Sequence, residues 1–237
     1  MLRAINPFIY QRILDKGMPN PDIPSYLHES YGQCYEDTIL DGLLRAYLIR
    51  HKVDVSEIAY LDIGANHPIA TSNTYLLHIF HGIRGILVEA NPALIPALKK
   101  FRPHDEVIHA AVSTSNQEYA TLYLGRYNEL SSLDKEFMRS WGAEGDPVKK
   151  ISVPSVRVMS LFEKLGGKRI ILSIDVEGVD RLILEDIDYS VVKPFAIVVE
   201  HNDHLAASIN KGIVELLASS GYFLYAKTNV NYIFSLN

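Results

Sequence analysis

The chain has 237 residues, a formal net charge of −5, 22% charged and 48% hydrophobic residues, enough for one α/β domain with a full core and a small appendage. The acidic balance argues against a general nucleic-acid binder, which needs clustered Lys and Arg; Lys149-Lys150 and Lys168-Arg169 read as short solvated ends. A single cysteine, Cys34, excludes an internal disulfide framework and a Cys-rich zinc site and fits a reducing, cytoplasmic compartment, while no signal-type h-region or run of ~20 apolar residues marks a membrane span.

Residues 1 to about 30 carry Pro7, Pro19, Pro21 and Pro24 among aromatics and read as an irregular arm or lid. Ser30 to His51 then has helical spacing of Ile39, Leu40, Leu43, Leu44, Tyr47 and Leu48. The arm and this helix (1–50) form part of the same unit as the domain that follows (51–237). Strands are expected near 58–63, 85–89, 106–112, 170–175 and 195–200, alternating with helices near 72–81, 92–101, 177–186 and 204–219. That rhythm predicts a mostly parallel, Rossmann-like sheet with right-handed crossovers. It breaks at 119–157, where Tyr119–Leu124 and Ile151–Val158 alternate like strands around a polar loop containing Gly142, Gly145 and Pro147. An insertion of that length is usually functional or mobile. Tyr222–Lys227 and Asn231–Leu236 read as an antiparallel hairpin turning at Thr228-Asn229, completing a seven-stranded sheet.

The first expected strand ends Leu61-Asp62-Ile63-Gly64-Ala65-Asn66, and the second ends at Glu89. A glycine after the first strand permits close backbone approach, and an acid ending the second can hold both ribose hydroxyls. Two cofactor classes use this layout. A dinucleotide site needs G-x-G-x-x-G, but the register from Gly64 puts Asn66 and Ile69 at the second and third glycine positions. Pro68 has no N–H for a pyrophosphate, and the Asp62 carboxylate would repel a diphosphate but suit a cationic methionine moiety. The residues therefore favour S-adenosylmethionine.

Several further segments share an order and spacing. They are Tyr31-Gly-Gln33-Cys-Tyr-Glu36-Asp37, Leu61-Asp-Ile-Gly-Ala-Asn-His-Pro68, Ser72-Asn-Thr-Tyr75, Gly82-Ile-Arg-Gly85, Val88-Glu-Ala-Asn-Pro92, Ser131-Ser-Leu133 and Ile174-Asp-Val-Glu-Gly178. Together with Gly221-Tyr222 and the closing hairpin, they make the chain resemble the FkbM-type family of S-adenosylmethionine-dependent methyltransferases from about residue 25 to its end. The resemblance implies a class I methyltransferase fold and transfer to a hydroxyl, often on a surface-glycan sugar or a secondary metabolite.

For that chemistry, Gly64 and Ala65 would pass under the methionine portion of the cofactor, with Asp62 and Asn66 on its amino and carboxylate groups. Glu89 would take the ribose; Ala90 and Ala111, in the Ala110–Ser113 strand end, would border the adenine. Asn73 would reach cofactor or acceptor from a helix start whose polar residues also serve as caps. Tyr31, Gln33 and Asp37 would cover the site as part of a lid, and His67 is open between packing and substrate contact. Arg126, Tyr127 and Trp141 are candidates for stacking on a sugar ring.

Methyl transfer to oxygen also needs a destination for the hydroxyl proton. Asp175 and Glu177 close the fourth core strand, and Glu200-His201-Asn202-Asp203-His204 ends the fifth. A buried Asp175 or Glu177 with raised pKa, or neutral His201, could act as the base; Glu177 could equally be a first-turn acid of the following helix. Asp175, Glu200 and Asn202 form a candidate oxygen ligand set for Mg2+ as a second cofactor. Acceptors on nitrogen, non-sugar acceptors and a non-catalytic nucleoside-binding partner subunit remain alternatives. The oligomeric state is open, a homodimer being one option.

Overall fold

A computed structural model describes residues 30–126, 131–140, 147–201 and 207–236, with side chains from Gly212 onward in the last segment. The expected arm 1–29, Tyr127, Trp141, Gly142, Gly145 and Asn202–His204 lie outside the described residues.

Seven strands form the main sheet: β1 (Ile58–Ile63), β2 (Arg84–Glu89), β3 (Glu106–His109), β7 (Arg169–Ile174), β8 (Ala196–Glu200), β9 (Tyr222–Lys227) and β10 (Asn231–Leu236). Their order is β3-β2-β1-β7-β8-β10-β9. The first five run parallel, and β10 is antiparallel to both β8 and β9. β1 is buried along its whole length, which explains its near-continuous apolar run: a central parallel strand is covered on both faces. Leu61 and Ile63 face one core with Val88, Leu172, Ile213 and Leu217. Ile58 and Tyr60 face the other, with Leu40 and Leu44 of helix α1 (Glu36–His51), Leu77 of α2 (Tyr75–His81) and Leu98 of α3 (Ile95–Phe101). Among the described residues, no helix is long and apolar enough to cross a membrane.

From β1 the chain builds outward through β2 and β3, then returns to place β7 and β8 on β1's other side. The order therefore reverses between β1 and β7, and a crevice opens there at the carboxyl ends of the strands.

The expected strand 106–112 is divided. β3 ends at His109, and β4 (Ala111–Val112) joins a second sheet, ordered β4-β6-β5, with β5 (Tyr119–Leu124) antiparallel to β6 (Lys149–Val156). Ala111, Leu122 and Val153 form its small core. The insertion is thus an appended β layer hinged at Ala110. It includes a short helix, α4 (Lys135–Ser140), not foreseen in the sequence, and α5 (Val158–Lys164) follows it.

Two helix starts shift for backbone reasons. α1 begins at Glu36 because Tyr35 is left-handed (φ 70°). The helix expected from 177 begins only at Asp180, as α6 (Asp180–Glu185), because Glu177 and Gly178 have φ of 54° and 104°. Glu177 is therefore not a first-turn helical acid. A non-glycine residue in that region is uncommon and concentrates at functional sites. The remaining helix, α7, spans Ala207–Ser219.

Candidate active site

The carboxyl edge of β1, β2, β7 and β8 opens into a cavity of about 480 Å³, within the usual range for small-molecule sites. Asp62, Gly64, Asn66, Asn73, Glu89 and Ala90 border it from the β1–β2 side, with Ala111 beyond; Asp175, Glu177 and Glu200 border it from β7–β8, and exposed Gln33 reaches it from the segment before α1. The appended layer contributes Leu122, Ser131, Ser132 and Leu133.

Gly64 is fixed by its neighbours. It has φ +83°, and a Cβ there would come 1.8 Å from the Asp175 carbonyl oxygen. Only glycine lets β1 turn this tightly against the end of β7. Its N–H and that of Ala65 both donate to the Val88 carbonyl, which draws the turn toward the end of β2. Asn66 follows in the left-handed region, φ 43°.

Glu89 is buried, and burial raises its pKa; backbone N–H bonds oppose that rise. Oε2 accepts from the Asn66 N–H at 2.9 Å and Oε1 from the Asn91 N–H at 2.6 Å. Each oxygen keeps acceptor capacity beyond one such bond, so the carboxylate is held in place and still equipped to take a vicinal diol.

Asp62 is buried about as deeply as Glu89. It accepts from the Thr74 hydroxyl at 2.6 Å. Burial raises its pKa, while Thr74, Arg102 and Ser173 pull it down. Thr74 sits at the N-cap position of α2 but gives its hydroxyl to Asp62 instead of capping the helix. Asn73 donates to the Ser173 hydroxyl at 3.2 Å, tying the loop after β1 to β7. His67 is exposed and serves the turn itself, its Nδ1 accepting from the Ile69 and Ala70 N–H groups.

Arg102 is a positioning residue, behind the cavity wall, that the sequence pattern hides. It is 1% exposed and is among the largest fully buried side chains. Its guanidinium donates to Asp105 (2.7 Å), Tyr60 Oη (2.7 Å), Thr74 Oγ1 (3.1 Å) and the Pro68 carbonyl (3.2 Å). It thereby fastens the 68–74 loop from behind. Its one sequence signal is the i,i+3 pair Arg102/Asp105 at a helix end, which looks like an ordinary surface ion pair.

The N-terminal motif is a clamp as well as a wall. Asp37 is buried and accepts from the Ser30 hydroxyl, the Tyr31 N–H and the Thr38 N–H. Glu36 accepts from the Cys34 N–H and from the Thr228 hydroxyl at the turn of the closing hairpin. Gln33 is thus carried by a segment anchored at both ends.

Asp175, Glu177 and Glu200 each offer a carboxylate oxygen, and these lie within 4.8 Å of one another. Burial, then the charges of Asp180, Asp62, Glu36 and Glu89, push the Asp175 pKa up to about 7. Asp180 itself is buried and caps the 176–178 turn, accepting from the Val176 and Gly178 N–H groups.

His201 stands apart. It is buried, does not border the cavity, and packs on Tyr232 with ring centroids 4.5 Å apart. Its Nε2–H donates to the Thr228 carbonyl at 3.0 Å. His201 is thus held against the turn of the closing hairpin; of the expected metal set, Asp175 and Glu200 lie in one cluster with Glu177, and Asn202 lies outside the described residues.

A family model described as the methyltransferase FkbM domain matches residues 62–224, well over half of the chain. Comparison with curated proteins gave no match. Among solved structures, the chain is similar to a precorrin-6y C5,15-methyltransferase from Geobacter metallireducens GS-15 (13% identity, TM-score 0.42, covering 83% of this chain and 88% of that one). It is also similar to a TehB-like SAM-dependent methyltransferase from Corynebacterium glutamicum ATCC 13032 Kitasato (11%, 0.40, 98% and 97%). A third is an RNA methyltransferase from Salinibacter ruber in complex with S-adenosyl-L-homocysteine (12%, 0.35, 82% and 89%).

Proposed function

We propose, from the premise that this chain belongs to the FkbM methyltransferase family, that it transfers a methyl group from S-adenosylmethionine to a hydroxyl of a sugar, glycan precursor or secondary metabolite. The observation that carries this reading is the single cavity wall that joins a fixed, amide-braced Glu89 to a carboxylate trio at the ends of β7 and β8. The cofactor supplies an electrophilic methyl on a sulfonium. Glu89 takes the two ribose hydroxyls, Asp62 and Asn66 the methionine amino and carboxylate groups, and Ala90 and Ala111 border the base. Asn73 and Gln33 complete the walls.

Asp175 is the base. Its carboxyl is raised to about 7, where a group both ionises and accepts a proton usefully at neutral pH. With the cofactor bound, transfer of its methyl to the acceptor oxygen would leave the neutral thioether and the hydroxyl proton, which Asp175 would accept. Glu177 and Glu200 orient the acceptor hydroxyl.

The first test is calorimetric titration with S-adenosylhomocysteine. Wild type is expected to bind in the micromolar range, and Glu89→Ala to weaken binding by about 100-fold, because it removes a bidentate acceptor and frees the Asn66 and Asn91 amides. Absence of binding to wild type would end the cofactor assignment. Binding without turnover on any hydroxyl or amine acceptor would favour a non-catalytic partner subunit.

The trio also favours a second reading in which Mg2+ is held by Asp175, Glu177 and Glu200 and orients the acceptor oxygen. Under that reading chelator abolishes turnover, Mg2+ restores it, and Mg2+ gives a binding isotherm with the protein alone. Full turnover in chelator removes it.

A further inference from the structure

We infer that two copies of this chain associate edge to edge through β9, the last strand of the main sheet. β9 pairs with β10 on one side, and among the described residues no strand pairs with its other side. Such an edge presents a row of backbone donors and acceptors, a template for another strand.

The two edges of the sheet are built differently. β3, at the far edge, is four residues long, carries Glu106 and His109, and has Glu106 paired with Lys164. Short length and charge are ordinary ways of blunting an edge. β9 has six residues, and no charged residue occurs from Leu216 to Ala226. Three consecutive large side chains on it are exposed, Phe223 (40%), Leu224 (43%) and Tyr225 (51%). A bulge leaves Tyr225 without an opposite residue, since Ala226 faces Ile233 and Leu224 faces Phe234. Bulges also guard edges, but this one carries an aromatic ring, 6.2 Å from that of Phe223, in place of a charge. Val191, 73% exposed, extends the patch. It lies in sequence between Tyr189, whose ring meets that of Tyr222 at 5.8 Å, and Pro194, whose carbonyl accepts from the Tyr222 hydroxyl.

The strand suits a second copy of itself. With a two-fold axis through Leu224, antiparallel pairing sets each Phe223 against the partner's Tyr225 and each Leu224 against the partner's Leu224. Aromatic pairs gain beyond the area they bury, and side chains of this size cover about 150–250 Å², so the four residues present on the order of 400 Å² per copy. Twice that reaches the specific-dimer range of about 1,200–2,000 Å² only with the paired backbone added, which places the association in the micromolar range. Lys193 Nζ lies 4.0 Å from where a Cβ on Gly221 would stand, and Lys227 ends the strand. The axis brings each Lys227 toward the partner's Lys193. The contact is thus apolar at its centre and like-charged at its rim, in a chain of net charge −5, so salt strengthens it. β10 separates β9 from β8, the nearest strand of the cavity, so pairing leaves the cavity open.

The experiment is sedimentation velocity of the full chain from about 1 to 100 µM, spanning the affinity expected of so small an interface, at low and high salt. Wild type is expected to pass from monomer to dimer across this range, and at lower concentration in high salt. Leu224→Lys and Leu224→Glu, at an exposed position, should each remain monomeric while binding S-adenosylhomocysteine like wild type, and an equal mixture of the two should associate again. Ile49→Lys, an exposed change on α1, should dimerise like wild type. Wild type that stays monomeric throughout overturns the inference and leaves the edge to residues 1–29 or to another protein. A dimer that both Leu224 variants retain, that their mixture fails to restore, or that salt dissolves also overturns it. None of these outcomes bears on the cofactor assignment, which S-adenosylhomocysteine binding tests separately.

Discussion

Replacing Asp175 by asparagine is expected to cut kcat by about 10²–10⁴-fold while making the protein more stable at neutral pH. Both effects follow from the raised carboxyl, pushed up to about 7 by burial and then by the charges of Asp180, Asp62, Glu36 and Glu89. In the unfolded chain an aspartate titrates near about 3.9. Between these values the folded protein keeps a proton that the unfolded chain has released. Native stability therefore falls as pH rises from about 4 to about 7 and is constant above. Asparagine carries no such charge, so the gain should be absent at pH 4, grow through this window and level off above pH 7. Asp175 is only half-buried at the cavity wall, so water screens part of the penalty and a gain of about 1–2 kcal/mol is expected. Thermal unfolding at pH 4 and pH 8 measures the stability arm. The rate arm has the opposite sense: a base must be ionised, so wild-type turnover should fall on the acid side of about pH 7. An asparagine variant with wild-type turnover and an unchanged pH profile would move the base elsewhere.

Strand periodicity carries most of the fold. The boundaries of β1, β5, β9 and β10 coincide with those read from the pattern, because apolar runs and alternation report burial directly. Misplaced boundaries come from backbone geometry that periodicity does not encode. Tyr35, Glu177 and Gly178 take positive φ, so two helices start late. The chain changes sheets at Ala110, so one apolar run serves two β layers. At the site, the pattern of acids after strands names the residues that border the cavity because strand ends converge at a switch point. It does not distinguish Asp175, which faces the cavity, from His201, whose imidazole is committed to the Thr228 carbonyl and the Tyr232 ring. That distinction depends on where the terminal hairpin packs, and adjacent residues at a strand end point to opposite sides.

Arg102→Met is expected to be the most destabilising single change in the described residues outside the apolar core, costing about 3–5 kcal/mol. Methionine fills much of the same volume, so the loss is electrostatic. Asp105 has a fully buried side chain and would keep its bonds from Tyr60 Oη (2.6 Å) and the Gly85 N–H (2.9 Å) but lose its guanidinium. Burial alone would raise the Asp105 pKa; His78, Arg102, Tyr60 and the Gly85 amide outweigh it and leave the carboxyl depressed. A depressed carboxylate contributes stability above its unfolded pKa of about 3.9 and loses it as pH falls further. The deficit of the variant should therefore be greatest at neutral pH and shrink toward pH 3, which urea unfolding at both pH values resolves. Gly85 shows how tightly this region is built: a Cβ there would lie 2.2 Å from the Tyr60 carbonyl oxygen and ring, leaving Tyr60 no room to follow a displaced partner. Lysine should restore less than half of the loss, since one ammonium cannot span Asp105, Tyr60, Thr74 and Pro68 at once. A deficit that Arg102→Lys removes entirely would mean that charge alone matters. Partial rescue accompanied by weakened S-adenosylhomocysteine binding would instead tie the forked geometry to the 68–74 loop, through which Arg102 braces Thr74 and, by its hydroxyl, Asp62.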